Sequence, residues 1–269
     1  MGSELFYEFL LPLLREAGKL FVSAHEVDNA ETVSTKAGVA NFVTVYDVKV
    51  QRFLLDSIKQ KLPNAYFIAE EQENDPAALQ HACCFMIDPI DGTTNFIRDY
   101  HHSCISLALF SHGELIFGAV YDPYLDEMFY AEKGKGAFLN GKPIHVSDRP
   151  LSAAIIAYGT AAYDKPITAE ATFGLCKELY LAGADVRRCG SAALDLAYTA
   201  AGRNDLFFEC RLSPWDVAAG YLLMVEAGGF MTDMNGNALT FTAPSSIIAA
   251  NPRVYPALLD RAKYYATLL

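Results

Sequence analysis

The chain has 269 residues, of which 52% are hydrophobic, and its formal net charge is −11. This length and apolar content allow a large buried core in one domain or two, whereas the acidity argues against a surface that binds nucleic acid. Arg187-Arg188 is the only adjacent basic pair, so an anionic substrate would need a local source of positive charge such as a bound metal.

The predicted elements of the first half follow the spacing of apolar residues. Helical spacing over residues 5–21 predicts an amphipathic opening helix, which Pro12 either kinks or starts. An extended segment at residues 41–46 and a helix at residues 47–61 follow. Strands are predicted at residues 66–69, 83–87, 103–110, 115–121, 127–131 and 137–139. Asn140-Gly141 predicts a hairpin turn, so this half should be largely antiparallel.

The second half alternates between strand and helix patterns. Strands are predicted at residues 153–158, 185–188, 205–208, 229–232 and 246–250. Helices are predicted at residues 169–181, 191–201, 214–227 and 252–268. This alternation implies layers of sheet and helix, an α/β (α+β) fold. A shift near residues 147–152 divides the chain into an α+β half at residues 1–149 and an α/β half at residues 150–269, packed as one compact unit.

The cysteines and the amino terminus bear on the compartment. None of the 6 cysteines falls in a C-x-x-C pair, which predicts buried, reduced thiols and a cytoplasmic protein. Glu4 and Glu8 interrupt the apolar start where a secretory signal would need a basic start and an apolar block. No apolar run reaches membrane-spanning length, so no membrane association is expected.

Residues 88–96 are the most informative segment and read Asp-Pro-Ile-Asp-Gly-Thr-Thr-Asn-Phe. Pro89 fixes its own φ and holds Asp88 in an extended conformation. Asp91 then comes round the turn, so both carboxylates can face one point. For Asp-x-x-Asp-Gly alone, an ordinary turn with Asp as a helix cap would be the preferred interpretation.

The residues after these acids suit an anion. Gly92 lets the backbone approach a ligand closely. Thr93, Thr94 and Asn95 are predicted to begin a short helix, whose free N–H groups and dipole form an anion site. Carboxylates and carbonyls suit Mg²⁺, which also binds substrate phosphate.

Two segments resemble the signatures of the inositol monophosphatases, in the superfamily of lithium-sensitive, magnesium-dependent phosphatases. The first is residues 88–96, and the second is Trp-Asp-x-Ala-Ala-Gly at residues 215–220. The resemblance extends in family order over nearly the whole chain, through Lys36, residues 41–44, Asp47, Glu70-Glu71, residues 190–193 and Glu209. It implies a layered αβαβα sandwich of the inositol monophosphatase / fructose-1,6-bisphosphatase type and a homodimer.

The resemblance implies a metal site formed by Glu70, Asp88, Asp91, Asp216 and the carbonyl of Ile90. It would hold two to three Mg²⁺ ions, with Mn²⁺ as a substitute and Li⁺ and Ca²⁺ as inhibitors. Without the resemblance, Glu70 could begin a solvated acidic loop and Asp216 could complete a helix cap.

The resemblance also implies catalytic and substrate-binding residues. Glu70 and Thr93 would activate water, and Asp47 would polarise Thr93 through a hydrogen bond. The expected substrate-binding residues are Asp91, Gly92, Thr93, Thr94, Ser191, Ala192, Glu209 and Lys36. Glu209 favours an inositol-like polyol, because the matching acid in the family binds a sugar hydroxyl.

The function expected from these residues is Mg²⁺-dependent hydrolysis of inositol monophosphate to inositol and phosphate. Fructose-1,6-bisphosphatase or broad sugar-phosphate phosphatase activity remains open, followed by nucleotide 3′-phosphatase activity. Thr94-Asn95 favours the inositol branch, because the nucleotide enzymes usually carry Lys at the first position. A catalytically silent metal-binding relative is an alternative of a different class. His101-His102 is interpreted as packing or surface, because histidine favours zinc over Mg²⁺.

Overall fold

The structure is a computed structural model that describes residues 5–24, 33–35 and 42–269. Lys36 and residue 41 of the predicted extended segment lie outside these residues. The helices are α1 Leu11–Val22, α2 Val45–Lys61, α3 Thr93–Ile97, α4 Lys165–Ala182, α5 Ala192–Ala200, α6 Pro214–Glu226 and α7 Tyr255–Ala266. The strands are β1 Val33–Thr35, β2 Phe42–Thr44, β3 Tyr66–Ala69, β4 Cys84–Asp91, β5 Cys104–Ser111, β6 Glu114–Asp122, β7 Glu127–Glu132, β8 Gly136–Leu139, β9 Lys142–Ile144, β10 Ile155–Tyr158, β11 Asp185–Arg187, β12 Leu206–Leu212, β13 Phe230–Thr232 and β14 Ser245–Ala250.

Local sequence explains where the first helices begin. Pro12 lies in the first turn of α1, after a π-helical segment at Leu5–Leu10. Helix α2 begins at Val45 because Thr44 caps it. The Thr44 hydroxyl accepts from the N–H groups of Tyr46 and Asp47, and the Asp47 carboxylate accepts from the Thr44 N–H at 2.7 Å. The extended conformation predicted for residues 45 and 46 is therefore wrong.

Several predicted boundaries were also wrong, although the elements exist. β4 continues past residue 87 to Asp91 and so includes both acids of the motif. α4 begins at Lys165, earlier than predicted, because Pro166 in its first turn favours a helix start. α7 is confined to Tyr255–Ala266.

Two large sheets lie on either side of the predicted division near residue 149, which itself stays a prediction. The 7-stranded sheet has the order β3-β4-β5-β6-β7-β8-β9, with β3 and β4 parallel and its other neighbours antiparallel. The 5-stranded sheet has the order β11-β10-β12-β14-β13. β10 pairs in parallel with β11 and β12, whereas β14 is antiparallel to β12 and β13.

Three apolar clusters lie between the layers of helices and sheets. One packs α1 and α2 against the face of the large sheet that carries Phe85. The second fills the space between the sheets, where α5 and α6 meet Met86 of β4 and Phe207 of β12. The third packs α4 and α7 against the outer face of the small sheet at Phe208. Because side chains alternate along each strand, both sheets are covered on both faces, which confirms the predicted αβαβα sandwich.

Within the described ranges, no helix combines the length and the apolarity needed to cross a bilayer. All 6 cysteines are free, in agreement with the prediction of reduced thiols.

Candidate active site

A bulge in β4 turns two acids toward the same side. Asp88 lies opposite Ser106 and Asp91 lies opposite Cys104, so three steps along β4 match two along β5. In a regular strand, residues three apart face opposite sides. The extra residue corrects the alternation, and Asp88 and Asp91 both face the helical layer between the sheets.

Glu70 reaches the same place from the neighbouring strand. It follows β3, and its N–H donates to the carbonyl of Ile87 at 3.2 Å, which continues the parallel pairing with β4. The carboxyl ends of β3 and β4 therefore meet at one edge of the sheet. The side chains of Glu70 and Asp88 are hydrogen-bonded.

Asp216 comes from the first turn of α6, which packs against this face. Its Oδ2 accepts from the N–H of Ser213 at 2.7 Å. The helix-cap interpretation is thus confirmed for one oxygen, while the residue also lines the cavity of the other acids. The carbonyl of the adjacent Trp215 accepts from the hydroxyl of Ser106 at 3.1 Å, which fixes the start of α6 to the sheet.

These buried acids raise one another's pKa. Burial raises the pKa of Asp88 well above its ordinary value, and the charges of Glu70, Asp91 and Asp216 raise it further. Burial and the charges of Asp91 and Glu70 do the same for Asp216. The pKa of Asp91 is raised to about 6, mainly by burial, although hydrogen bonds from Ser191 and Ala193 lower it.

This donor set fits a hard divalent cation. Backbone or hydroxyl donors hold one oxygen of each aspartate: Asp88 Oδ1 accepts from the Ile90 N–H at 3.0 Å, and Asp91 Oδ2 accepts from the Ser191 hydroxyl at 2.6 Å. A cation would relieve the repulsion between the carboxylates. As the side chains stand, no group of three His, Cys, Asp or Glu residues in the described part of the chain forms a ready-made metal site. A cation would therefore replace the hydrogen bond that draws Glu70 and Asp88 together.

Thr93 and Gly92 form the turn that adjoins the acids. Gly92 has φ +91°, and an added Cβ would lie 3.0 Å from the His102 carbonyl oxygen, so a side chain at this position would be strained. The Thr93 hydroxyl lies 3.3 Å from Asp47 Oδ1 and 3.1 Å from the Ile90 carbonyl oxygen. The predicted Asp47–Thr93 hydrogen bond is thus present. Burial raises the pKa of Asp47 to about 7, despite hydrogen bonds from Thr44 that lower it.

The start of α3 is confirmed as a short helix beginning at Thr93. Its first N–H groups have no acceptor within the helix, and Gly92, Thr93 and Thr94 line the cavity. Asn95 has a structural role that the sequence did not reveal. Its Nδ2 donates to the carbonyls of His102 and Cys189, both at 2.8 Å, which joins this turn to the segment before α5.

Ser191 and Ala192 lie where the motif predicts, at the start of α5. The Ser191 hydroxyl and the Ala193 N–H both donate to Asp91 Oδ2, at 2.6 and 2.7 Å. Ser191 also caps α5 by accepting from the Leu194 N–H at 3.4 Å. In this structure Ser191 therefore orients Asp91, and Ala192 lines the cavity.

Glu209 lines the same cavity from β12 of the small sheet. Its Oε1 accepts from the Ala161 N–H at 2.7 Å, and its carboxylate lies against Gly159, where an added Cβ would overlap it. Burial raises the pKa of Glu209 to about 7, while the charge of Arg188 lowers it. Glu209 is only 8% exposed, so its carboxyl group is directed into the protein near the cavity wall.

One cavity of about 540 Å³ brings the predicted residues together. The predicted site residues that line it are Glu70, Asp88, Ile90, Asp91, Gly92, Thr93, Thr94, Ser191, Ala192, Glu209 and Asp216. Asp47 lies behind Thr93, and Lys36 lies outside the described residues. A separate cavity of about 330 Å³ between α4 and α7 contains none of the predicted residues.

The sequence did not identify several other cavity residues. Tyr163, Arg188, Asp195 and Arg211 all line it. Arg188 had a signal, since it belongs to the only adjacent basic pair. Tyr163 remains about half exposed, yet burial raises its pKa, and the charges of Glu70 and the three aspartates raise it further.

The histidine pair takes no part in this cavity. His101 stacks on Tyr124 and lies 2.8 Å from Asp99. His102 packs edge-on against Tyr198, and burial lowers its pKa. Both agree with the interpretation of packing or surface residues.

Comparisons with known proteins agree with this geometry. The sequence model of the Inositol monophosphatase family matches residues 3–265. The chain is 40% identical over 246 residues to Nus factor SuhB of Escherichia coli (strain K12), covering 91% of each chain. It is 40% identical over 240 residues to an inositol-1-monophosphatase of Rhizobium meliloti, covering 87% of each. The solved structure of an IMPase from Thermotoga maritima superposes with a TM-score of 0.87 at 32% identity, covering 97% of both chains.

Proposed function

The chain belongs to the inositol monophosphatase family, and we propose that it hydrolyses inositol monophosphate to inositol and phosphate in a Mg²⁺-dependent reaction. The observation that carries this proposal is the single cavity in which four buried or half-buried acids adjoin the turn at Gly92. Acids alone would repel a phosphate monoester. Acids that hold a cation beside free N–H groups would bind it.

The residues suited to hold the cation are Glu70, Asp88, Asp91, Asp216 and the carbonyl of Ile90. Bound there, Mg²⁺ supplies positive charge to the phosphate oxygens and lowers the pKa of water. Ser191 and the backbone of Ile90 and Ser213 hold the aspartates in place. We propose Mn²⁺ as a substitute and Li⁺ and Ca²⁺ as inhibitors, with two to three cations bound at turnover.

The attacking water is oriented by Glu70 and Thr93. Thr93 donates its hydroxyl hydrogen toward Asp47, so the lone pairs on its oxygen can accept a hydrogen bond from the water. The Glu70 carboxylate accepts the second hydrogen bond and takes the proton as the water oxygen bonds to phosphorus and the phosphorus–oxygen bond to the alcohol breaks. That proton then balances the charge of the departing alkoxide, which leaves as the alcohol. Asp47 is buried and acts through Thr93.

The phosphate is held by the backbone of the turn at Gly92. The N–H groups of Gly92, Thr93 and Thr94 donate to its oxygens, which restrains the phosphorus for in-line attack. Gly92 has a φ of +91°, which residues with a side chain rarely adopt, so the backbone geometry of this turn depends directly on glycine at this position.

The leaving alcohol lies toward Glu209. With its pKa raised to about 7, this carboxyl group can form a hydrogen bond with a polyol hydroxyl at neutral pH. A hydroxylated ring such as inositol suits this end better than an alcohol without hydroxyl groups.

A broad sugar-phosphate phosphatase, including fructose-1,6-bisphosphatase, is the second candidate, because Arg188 and Arg211 lie at the cavity and could attract further negative charge.

Relatives named Nus factor SuhB and inositol-1-monophosphatase match equally well at 40% identity. We favour hydrolysis because the acids form a site, whereas the net charge of −11 disfavours direct binding of nucleic acid.

A homodimer in the cytoplasm is part of the proposal. The free thiols support a reducing compartment. Light scattering after size exclusion tests the dimer, and a mass of one chain would refute it.

The experiment is a phosphate-release assay on inositol 1-phosphate, fructose 1,6-bisphosphate and adenosine 3′-phosphate, with Mg²⁺ or with EDTA. We expect release that requires Mg²⁺ and is fastest on inositol 1-phosphate. Asp88→Asn should lose about 10²-fold or more in kcat, because a metal ligand is removed. Preference for the nucleotide would overturn the substrate, and release unaffected by EDTA would overturn the mechanism.

A further inference from the structure

Asp195 lies in the cavity, yet the proposed hydrolysis gives it no role. It sits on α5, is only 1% exposed and lines the cavity. Within the described part of the chain, its Oδ1 has no hydrogen-bond partner, while the thiol of Cys189 donates to the carboxylate. Burying a polar oxygen without a hydrogen-bond partner is unfavourable, so a ligand that donates a hydrogen bond to this atom would be favoured.

Asp195 lines the same cavity as Glu209, the residue toward which the leaving alcohol extends in the proposed reaction. Burial raises the pKa of Asp195 well above its ordinary value, and the next largest contributions come from the charges of Glu209 and then Asp91, while Arg188 lowers it. Asp195 and Glu209 both line this one cavity. Two carboxyl groups, one from α5 and one from β12, thus border the space that must hold the leaving group.

We propose that Asp195 is a specificity-determining residue that forms a hydrogen bond, through Oδ1, with a hydroxyl group of the leaving alcohol. This inference rests on the proposed phosphatase function and narrows its substrate. The alcohol is a neutral polyol that offers one hydroxyl group to Glu209 and a second to Asp195.

The same pair disfavours an alcohol with a second phosphate. A phosphate beside Glu209 and Asp195 would lie next to two carboxyl groups in a poorly solvated space, and its charge would be repelled by each of them that is ionised. Of the two cations nearby, Arg211 is paired with Asp164 at 3.1 Å. Arg188 donates to the neutral Thr160 hydroxyl at 2.8 Å and keeps its charge, so one arginine stands against two acids. A hydroxyl group can instead satisfy Oδ1 without adding charge. Sites built around such a hydrogen bond discriminate strongly against analogues that lack the hydroxyl.

The test compares three substrates in wild type, Asp195→Leu and Asp195→Asn. For Asp195→Leu we expect kcat/KM on inositol 1-phosphate to fall about 10- to 100-fold, as for a lost hydrogen bond to a buried polar group. On p-nitrophenyl phosphate, which offers no alcohol hydroxyl, kcat/KM should stay within about 2-fold. On fructose 1,6-bisphosphate it should rise relative to inositol 1-phosphate. Asp195→Asn retains an acceptor and should recover most of the lost activity.

Asp122 supplies the matched control. It is also fully buried with one unpartnered carboxylate oxygen in the described residues, but it is not among the residues that line the cavity. Asp122→Leu should leave the ratio of kcat/KM between the substrates unchanged, whatever it does to stability. Equal losses on inositol 1-phosphate and p-nitrophenyl phosphate in Asp195→Leu would overturn the proposal, as would an unchanged ratio.

A binding measurement separates this inference from the proposed function. Calorimetric titration of free myo-inositol, with inorganic phosphate and Mg²⁺ present, needs no turnover. Weaker binding to Asp195→Leu by about 10-fold supports Asp195 as a polyol contact. Equal binding to both proteins overturns it. An inactive wild type that still binds inositol through Asp195 would refute the proposed hydrolysis alone.

Discussion

Removing the divalent cation while varying the pH tests the acid cluster of the active site. The pKa of Asp91 is raised from 3.8 to about 6, chiefly by burial. One pKa unit corresponds to about 1.4 kcal/mol. Ionising this carboxyl in the metal-free folded protein therefore costs about 3 kcal/mol relative to the unfolded chain.

The sign of the pH dependence follows from the direction of the pKa change. Because the folded protein keeps this proton to a higher pH than the unfolded chain does, the stability it contributes is present at low pH. That stability is lost as the pH rises from about 4 through about 6. Asp47 and Glu209, with pKa values raised to about 7, extend the loss toward neutrality. Mg²⁺ competes with these protons, so its stabilising effect should grow with pH.

The stabilisation of the folded protein by Mg²⁺ is expected to be much larger at pH 7.5 than at pH 5. At pH 7.5 and a Mg²⁺ concentration of about 100 Kd, binding contributes about 2.7 kcal/mol. For a protein of this size that raises Tm by about 5–10 °C. If protons reduce the apparent affinity about 100-fold at pH 5, the gain falls to about 0.4 kcal/mol, or about 1 °C.

Thermal unfolding of EDTA-treated protein at both pH values, with K⁺ of matched ionic strength as the blank, measures this effect. Asp88→Asn removes an acidic group from the cluster, so it should leave the metal-free protein at least as stable at pH 7.5 and abolish the Mg²⁺ gain. Asp205 is a buried control outside the cavity, paired with Arg149 at 2.8 Å. Asp205→Asn should lower Tm but keep the gain. Equal gains at pH 5 and 7.5, or no gain at all, would refute the reasoning.

Substitutions at three positions give further tests. Thr93→Ala should lower kcat about 10²-fold or more by removing the water-orienting hydroxyl, and Thr93→Ser should restore most of it in steady-state kinetics; equal activity of both variants would contradict this role. Gly92→Ala should lower the free energy of unfolding by about 1–3 kcal/mol, because φ is +91° and the added Cβ meets a carbonyl oxygen. Urea unfolding measures this loss, and an unchanged midpoint would be inconsistent with a strained turn. Asn95→Asp replaces the amide that donates to two carbonyl oxygens with a carboxyl group that only accepts, so it should lower the free energy of unfolding by about 2–5 kcal/mol, measured by calorimetry. A loss below about 0.5 kcal/mol would contradict a stabilising role for these two hydrogen bonds.

The motifs made much of this site predictable from sequence. Asp88 and Asp91 were expected to face one point because Pro89 restricts the backbone between them. The β-bulge that turns both carboxylates to the same side depends on pairing with β5, which the local sequence pattern does not encode. The Asp216 interpretations proved compatible, since one carboxylate oxygen caps α6 while the residue also lines the cavity.

The rest of the site depends on tertiary contacts. Asp195 lies within an apolar helix pattern, and its unpartnered oxygen becomes visible only when α5 is placed against the cavity. The sequence predicts that Asn95 belongs to a phosphate-binding motif, whereas in the structure its side chain joins segments that are distant in sequence. The early start of α2 was missed because the capping by Thr44 outweighs the extended propensity of Val45 and Tyr46.

The central claim is that the acids of β3, β4 and α6 hold divalent cations beside the phosphate-binding turn. The most direct measurement is a crystal structure with Mn²⁺ and inorganic phosphate, read by anomalous scattering. We predict anomalous peaks about 2.0–2.3 Å from carboxylate oxygens of Glu70, Asp88, Asp91 and Asp216, with phosphate against the N–H groups of Gly92 and Thr93. Peaks confined to other parts of the molecule, or phosphate bound without a cation, would contradict the claim.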